Sequence, residues 1–500
     1  MDAVFASVAG LVGASADQVK LIFCLLVAYP LGSVFIRIPS SRPDLKHAFN
    51  IAVTATFFFP VLQLGQEFFQ LLGSILATFF ISKYVRGRRM PWIVFVIVMG
   101  HLTVNHAIRM IMQYSYEKLE ITAPQMVLAM KLTTFAWNVH DGQRPATDLD
   151  KWQMQKRVVQ HPSLLEFLGY SLYFPGMLVG PYLDFAGYME LVNETVFKKL
   201  TVKGKGGRNI PDGRKRVAYR KMALGLAYLG VFVVVGGHWN FALTLTPWFV
   251  KQSMMMRIVI LQFCGMMERT KYYAIWTLTE GASILTGLGF TGISPSGDTL
   301  WEGAANVLPF EIELPSNFKV LLDSWNMKTN IWLRECVYKR VAPKGKKPGF
   351  TASMLTFATS AFWHGIAGGY YLTFLTGGFV SSIARLARAN FRPLVLPAPG
   401  ARSSIWKRLY DVLGGLVTLL LLNYTVIPFM VLAIDSSLLA WARVAFYGHF
   451  IILGTMLFFY TGGAKFCRGL QAKYALRARA KEGSSTPVDE KTFTCASGVR

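Results

Sequence analysis

The chain has 500 residues, of which 53% are hydrophobic and only 16% charged, and its formal net charge is +25. Soluble domains rarely combine so many apolar residues with so few charged ones, which excludes an ordinary water-soluble globular protein. The Lys and Arg excess does not point to nucleic acid, because the basic runs lack interleaved aromatics and flank apolar stretches.

Apolar stretches of about 20 residues are long enough to cross a bilayer. In chain order the clear ones lie near 19–38, 47–63, 66–84, 219–237, 408–433 and 442–463. Weaker ones, interrupted by polar residues, lie near 91–113, 122–137, 163–181, 252–266, 270–290 and 352–378. The expected fold is all-α and polytopic, with about ten to twelve spanning or re-entrant helices. The first stretch holds Pro30 and Gly32 and lacks a small-residue cleavage site, so it reads as a retained span. The five cysteines (Cys24, Cys264, Cys336, Cys467, Cys495) are scattered and suggest neither disulfides nor a metal site.

Charge concentrates in loops. Residues 198–221 hold ten Lys and Arg against one Asp, and 338–349, with Lys339 and Arg340, form a second basic loop. The positive-inside rule places such loops in the cytosol. A field focused at a cleft mouth would also attract an anionic cytosolic substrate. The catalytic unit is expected over 1–465, and residues 466–500 read as a polar, disordered cytosolic tail.

Polar residues inside apolar runs need a reason. His101 and His106 read as interior hydrogen-bonding groups, and His449 as a residue near a helix end. His364 stands in "SAFWHGIAGGYYLTF", and no Lys, Arg, Asp or Glu occurs from Thr351 to Ser382. On a continuous helix its face would carry Phe357, Ser360, Ala361, Ala367, Gly368 and Tyr371. Small neighbours either allow close helix packing or leave space beside the imidazole, and both readings stand.

Upstream, "DSWNMKTNIWLRECVYKR" (323–340), if helical, aligns Asp323, Asn326, Asn330 and Arg334 on one stripe beside Trp325. That stripe suits a water-accessible cavity or an amphipathic helix at the cytosolic leaflet. A neutral imidazole can take a proton from an alcohol, and an amide can hydrogen-bond a carbonyl that gains negative charge. Together they fit acyl transfer to a hydroxyl without a protein nucleophile. The chain holds no GxSxG, HExxH or HxxxxD motif to compete.

"SWNMKTNIWLRECVYKR" followed by "SAFWHG" resembles the paired signature of the membrane-bound O-acyltransferase family, in particular its eukaryotic lysophospholipid acyltransferase branch. "NVHDG" (138–142), the FP…GP run within 167–191 and "ERTKYYAIWTLTEGASILTGLGF" (268–290) extend the likeness to about residues 20–465. The resemblance implies a helical reaction chamber in the endoplasmic reticulum membrane. It implies His364 as the catalytic base and Asn326 as its partner, with Asn330 as the alternative asparagine and Ser360 and Asp323 as chamber support. Trp325, Tyr273, Trp276, Glu280 and Tyr371 would line the chamber, Glu280 serving there or in a salt bridge. Lys339 and Arg340 would face the phosphates of acyl-CoA, expected as a substrate with no tightly bound cofactor or metal. A lysophospholipid is the expected acceptor. Diacylglycerol, a sterol, or a lipid transporter or scramblase using the same polar path are the alternatives.

Overall fold

The structure is a computed structural model that describes residues 2–115, 118–198, 210–342, 349–397 and 402–483, the last nine as backbone only. The centres of both basic loops, 199–209 and 343–348, and the tail beyond Gly483 lie outside the described residues. The described residues are mostly helical. One antiparallel pair, Gly292–Ile293 with Thr299–Leu300, places Gly292 opposite Leu300.

The helices that frame the site are α1 (Ala16–Phe35), α2 (Met90–Ile111), α3 (Thr122–Gly142), α4 (Arg214–Val231), α5 (Met254–Leu285), α6 (Phe318–Ser324), α7 (Met327–Leu333), α8 (Phe350–His364), α9 (Gly368–Val395), α10 (Ile405–Thr425) and α11 (Ala464–Gly483). Among the described residues, five stretches are long and apolar enough to cross a bilayer: Ala16–Phe35, Met90–Ile111, Arg214–Leu245, Ile405–Val431 and Tyr447–Tyr474. The ten to twelve expected included re-entrant helices, which these five long apolar stretches do not include. The remaining candidates are shorter, broken or less apolar, as in Gly65–Tyr84 and Thr122–Gly142. Residues 252–266 and 270–290, expected as two spans, fall largely within the single helix α5. The 163–181 stretch divides into Leu164–Ser171 and Phe174–Met177.

At the centre stands α3, buried along nearly its whole length. A helix apolar on every side belongs in an interior, and its polar residues must find partners there. Lys131 meets this need by donating to the carbonyls of Tyr170 and Ser171, the latter at 3.0 Å, which closes the helix Leu164–Ser171. Gln125 accepts from Asn105 of α2 at 2.8 Å.

A second junction joins α1, α4 and α5. A Cβ on Gly281 would come within 2.2 Å of the Tyr29 hydroxyl and 2.9 Å of the Ala218 carbonyl, so glycine lets the three helices meet. Tyr29 uses the approach to donate to the Leu278 carbonyl at 2.9 Å.

The chain does not leave the fold at Cys467. Cys467 is buried, and Gln471 donates to the Asn390 carbonyl of α9 at 2.7 Å, so the first two turns of α11 pack on α9, and the helical backbone runs to Gly483. Composition alone misses such a helix because its partner on α9 is distant in sequence.

Candidate active site

The "DSWN" segment is not one helix. α6 ends at Ser324, and Asn326 adopts φ 43°, ψ 53°, the left-handed region, before α7 begins at Met327. Asparagine tolerates that conformation better than most L-residues. The break separates side chains that a continuous helix would align. Asp323 points to solvent and pairs with Lys319. Trp325 turns to α5, where Trp276 (5.1 Å), Tyr272 (5.4 Å) and Tyr273 (6.2 Å) box its ring.

Asn326 faces another way. Its Oδ1 accepts from Asn306 Nδ2 at 3.1 Å and from Thr329 Oγ1 at 2.8 Å. Asn306 also accepts at its own Oδ1 from the Lys328 N–H (3.0 Å) and at its carbonyl from the Met327 N–H (2.9 Å). It thereby caps α7, whose first N–H groups have no helical partners. With the oxygen held by two donors, the Asn326 amide is oriented, and no described residue accepts from its Nδ2. Sequence reasoning missed Asn306. The only signal was an asparagine two residues before "LPF" in an apolar run.

Asn330 has a structural task. Its Nδ2 donates to the carbonyls of Leu322 and Trp325, the latter at 2.8 Å, and so ties the end of α6 to α7.

Beyond α7 the helix passes through a π turn at Arg334–Tyr338. The face turned to α3 carries Thr329, Trp332, Cys336 and Arg340. Thr329 Oγ1 lies 3.3 Å from the Met130 sulfur and Trp332 Nε1 donates to Thr133 Oγ1 (2.9 Å), while Cys336 lies 3.4 Å from Thr134 Oγ1. Arg340 binds both oxygens of Asp141 at 2.8 and 2.5 Å and stacks over Trp137 at 4.4 Å. Partners rise together along both chains, so the two helices run parallel.

This pairing corrects the role expected for Arg340. The guanidinium is committed to a fully buried carboxylate. Lys339 is likewise shared between Asp150 and Glu335, each at 2.7 Å. Removing one member of a buried pair leaves an uncompensated charge, at a cost of about 3–5 kcal/mol. Asp141→Ala should therefore lower thermal stability in detergent sharply, and the double variant Asp141→Leu/Arg340→Met should recover much of the loss. A single variant as stable as wild type would contradict the assignment.

His364 is the last residue of α8. Gly365 follows at φ +142°, a conformation reserved for glycine, and α9 starts at Gly368. The expected face through Tyr371 is thus interrupted. Tyr370 (5.7 Å), Phe374 (5.0 Å, nearly parallel) and Phe429 (4.9 Å, edge-on) surround the imidazole instead, with Trp363 at 4.6 Å. No described residue hydrogen-bonds the ring. Ser360 is buried one turn back on α8. His106 of α2 donates Nε2–H to the Trp363 carbonyl at 3.2 Å and so anchors the end of α8.

Both halves meet α3. Trp363 Nε1 donates to the Met126 carbonyl at 3.0 Å, and its ring packs on Trp332 at 5.7 Å. Thr329, the residue that holds Asn326, reaches Met130. Met126 and Met130 are about one turn apart, some 6 Å along the axis. The residue before His364 and the residue that holds the Asn326 oxygen are therefore anchored on adjacent turns of α3. The chain matches the model of MBOAT, the membrane-bound O-acyltransferase family, over residues 107–427, a stretch that includes α3, α7 and α8.

This chain belongs to the membrane-bound O-acyltransferase family.

It is a multi-pass membrane enzyme that transfers acyl groups to oxygen. This acyltransferase is 37% identical over 453 residues to a Schizosaccharomyces pombe protein named lysophospholipid acyltransferase, covering 91% of this chain and 88% of the relative. A Saccharomyces cerevisiae protein of the same name is 36% identical over 473 residues, covering 92% and 76%. Human membrane-bound glycerophospholipid O-acyltransferase 1 is 31% identical over 459 residues, covering 90% of each chain.

On α5 of the acyltransferase, Tyr273 donates to Glu313 at 2.7 Å. Glu313 is gripped at both oxygens by Arg269, which also donates to Asn423 of α10 at 2.6 Å. Glu280 is buried and paired with Lys221 of α4 at 2.9 Å. The aromatic box around Trp325 is thus fixed from below by charged groups that sequence reasoning did not connect. Among the described residues no cluster of His, Cys, Asp or Glu is placed to hold a metal ion.

Proposed function

We propose that the enzyme transfers the acyl group of acyl-CoA to the free hydroxyl of a lysophospholipid, with His364 as general base and Asn326 as the carbonyl-binding amide. The observation that carries this reading is the Asn326 amide: its oxygen is occupied by Asn306 and Thr329, which leaves Nδ2 as the donor. A donor aimed at the thioester oxygen stabilises the charge that develops there, an effect worth about 10²–10³ in rate.

The hydroxyl oxygen of the acceptor attacks the thioester carbonyl carbon while His364 takes its proton. The carbon–sulfur bond then breaks, and the proton passes to the leaving thiolate, giving an ester and free CoA. Aromatic walls from Trp363, Tyr370, Phe374 and Phe429 keep water away from the imidazole and suit an acyl chain. Trp325, Tyr273 and Trp276 form the neighbouring apolar wall.

The names of the relatives support a lysophospholipid acceptor. The same reading places the enzyme in the endoplasmic reticulum membrane with its basic loops in the cytosol, where acyl-CoA is available.

Purified enzyme given oleoyl-CoA and a panel of lysophosphatidylcholine, lysophosphatidylethanolamine, diacylglycerol and sterol tests the assignment, with products identified by mass spectrometry. New diacyl phospholipid and stoichiometric free CoA are expected. Ester formed only on diacylglycerol or sterol would overturn the acceptor. Lipid movement across vesicles without any new ester would overturn the reaction.

A further inference from the structure

The far half of α9 carries a charged cavity that acyl transfer does not use. Arg385, Arg388 and Arg392 recur at three and four residues and so share one helical face. With Ala389, Pro393 and Leu396 they line an open cavity of about 340 Å³. No described carboxylate pairs with any of the three; Arg385 donates to the Ser382 hydroxyl at 3.2 Å. Like charges on successive turns repel each other, so an anion shared among them would relieve the helix.

Its depth follows from the packing. The ring of Phe350, which opens α8, lies 6.1 Å from that of Phe379 on α9. Residues 385–396 continue past that level by roughly 9–25 Å at the helical rise, on the side where α8 begins. There α10 begins with exposed Ile405 and Trp406, followed by Lys407 and Arg408. An exposed tryptophan beside basic residues at the end of an apolar span marks a membrane–water interface. Tyr410, one turn into α10, stands within range of the charges of Arg388 and Arg392. The site thus sets three arginines beside exposed alanine, proline and leucine at one end of α9, in an interfacial position. Arginine forks match phosphate oxygens, and the alanine, proline and leucine suit the glycerol and first methylenes of a lipid.

We propose that this cavity binds the phosphate-bearing headgroup of an anionic membrane phospholipid, at a site separate from the reaction chamber. The twenty residues between Gly368 and Arg388 put it about 30 Å along α9 from the His364 end. Inorganic phosphate and the phosphates of CoA share the recognition chemistry, so the test must tell them from a lipid.

Full-length protein in phosphatidylcholine nanodiscs, doped with a photoactivatable phosphatidic acid, provides the probe. Label is expected in the peptide spanning residues 385–396. Unlabelled phosphatidic acid should compete, whereas phosphatidylcholine, inorganic phosphate and CoA should not. Replacing all three arginines with glutamine should reduce labelling roughly tenfold or more, and Arg388→Gln alone should reduce it measurably should the triple variant fail to fold. Arg468→Gln, on α11 and outside the cavity lining, should leave labelling unchanged. Label confined to other peptides overturns the site even in the wild type. An equal fall with Arg468→Gln would reduce the effect to general surface charge. Competition by CoA or phosphate at equal potency would make this a soluble-anion site and overturn the lipid assignment.

Discussion

Replacing His364 with alanine is expected to lower the rate of ester formation by about 10²–10⁴-fold while leaving the protein folded. The size follows from the loss of a positioned base, because no described carboxylate contacts the ring and the nearby imidazole of His106 is held by the Trp363 carbonyl. The structure also says why stability should survive. His364 ends α8 and makes ring contacts with Trp363, Tyr370, Phe374 and Phe429, whereas the helix end is anchored through the Trp363 carbonyl and indole. Those anchors stay in place in the variant. Free-CoA release, thermal melting and acyl-CoA binding should be measured together. The expected pattern is a collapse of turnover, a small change in melting and near-normal binding. His364→Gln, which keeps a hydrogen-bonding side chain but cannot act as a base near neutral pH, should be equally inactive. Turnover retained in either variant would remove His364 from the chemistry.

The membrane class and the two signature segments were legible because hydropathy and the order of motifs survive without tertiary knowledge. The local geometry was not, for identifiable reasons. Helical periodicity cannot register a single left-handed residue, so the expected stripe of Asp323, Asn326, Asn330 and Arg334 ignored the break at Asn326. Gly365 beside His364 was a visible warning of another break, and overlooking it put Tyr371 where Tyr370 and Phe374 stand. Charge counting treated Lys339 and Arg340 as available to phosphate. Their partners Asp150 and Asp141 come from a segment nearly 200 residues away, which no local pattern reveals. The same limit split α5 in two. Glu268 and Arg269 looked like a polar interruption, yet Glu313 and Asn423 satisfy Arg269 within the fold.

Asn326 and Asn330, one turn apart and chemically identical, should separate cleanly by experiment. Asn330 bonds two carbonyls that end α6, so Asn330→Ala should cost roughly 1–3 kcal/mol of stability through those unsatisfied groups. Its effect on turnover of the folded fraction should be modest. Asn326→Ala should act in both ways, since alanine loses the amide and also strains at φ 43° by about 1–2 kcal/mol. Asn326→Gly resolves the two effects. Glycine takes the left-handed conformation without steric cost, so the backbone turn, the Trp325 box and the α7 cap built by Asn306 should persist. What disappears is the whole amide: the Nδ2 donor, for which turnover should fall about 10²–10³-fold, and the oxygen that accepts from Asn306 and Thr329, for which stability should fall by roughly 1–3 kcal/mol without unfolding the protein. Asn306→Ala gives an independent check. It frees one of the two groups that hold the Asn326 oxygen, so the amide should lose its fixed orientation and part of the rate, with Asn326 itself intact. Near-normal turnover in Asn326→Gly, or an equal loss in stable Asn330→Ala, would move the carbonyl-binding role away from Asn326.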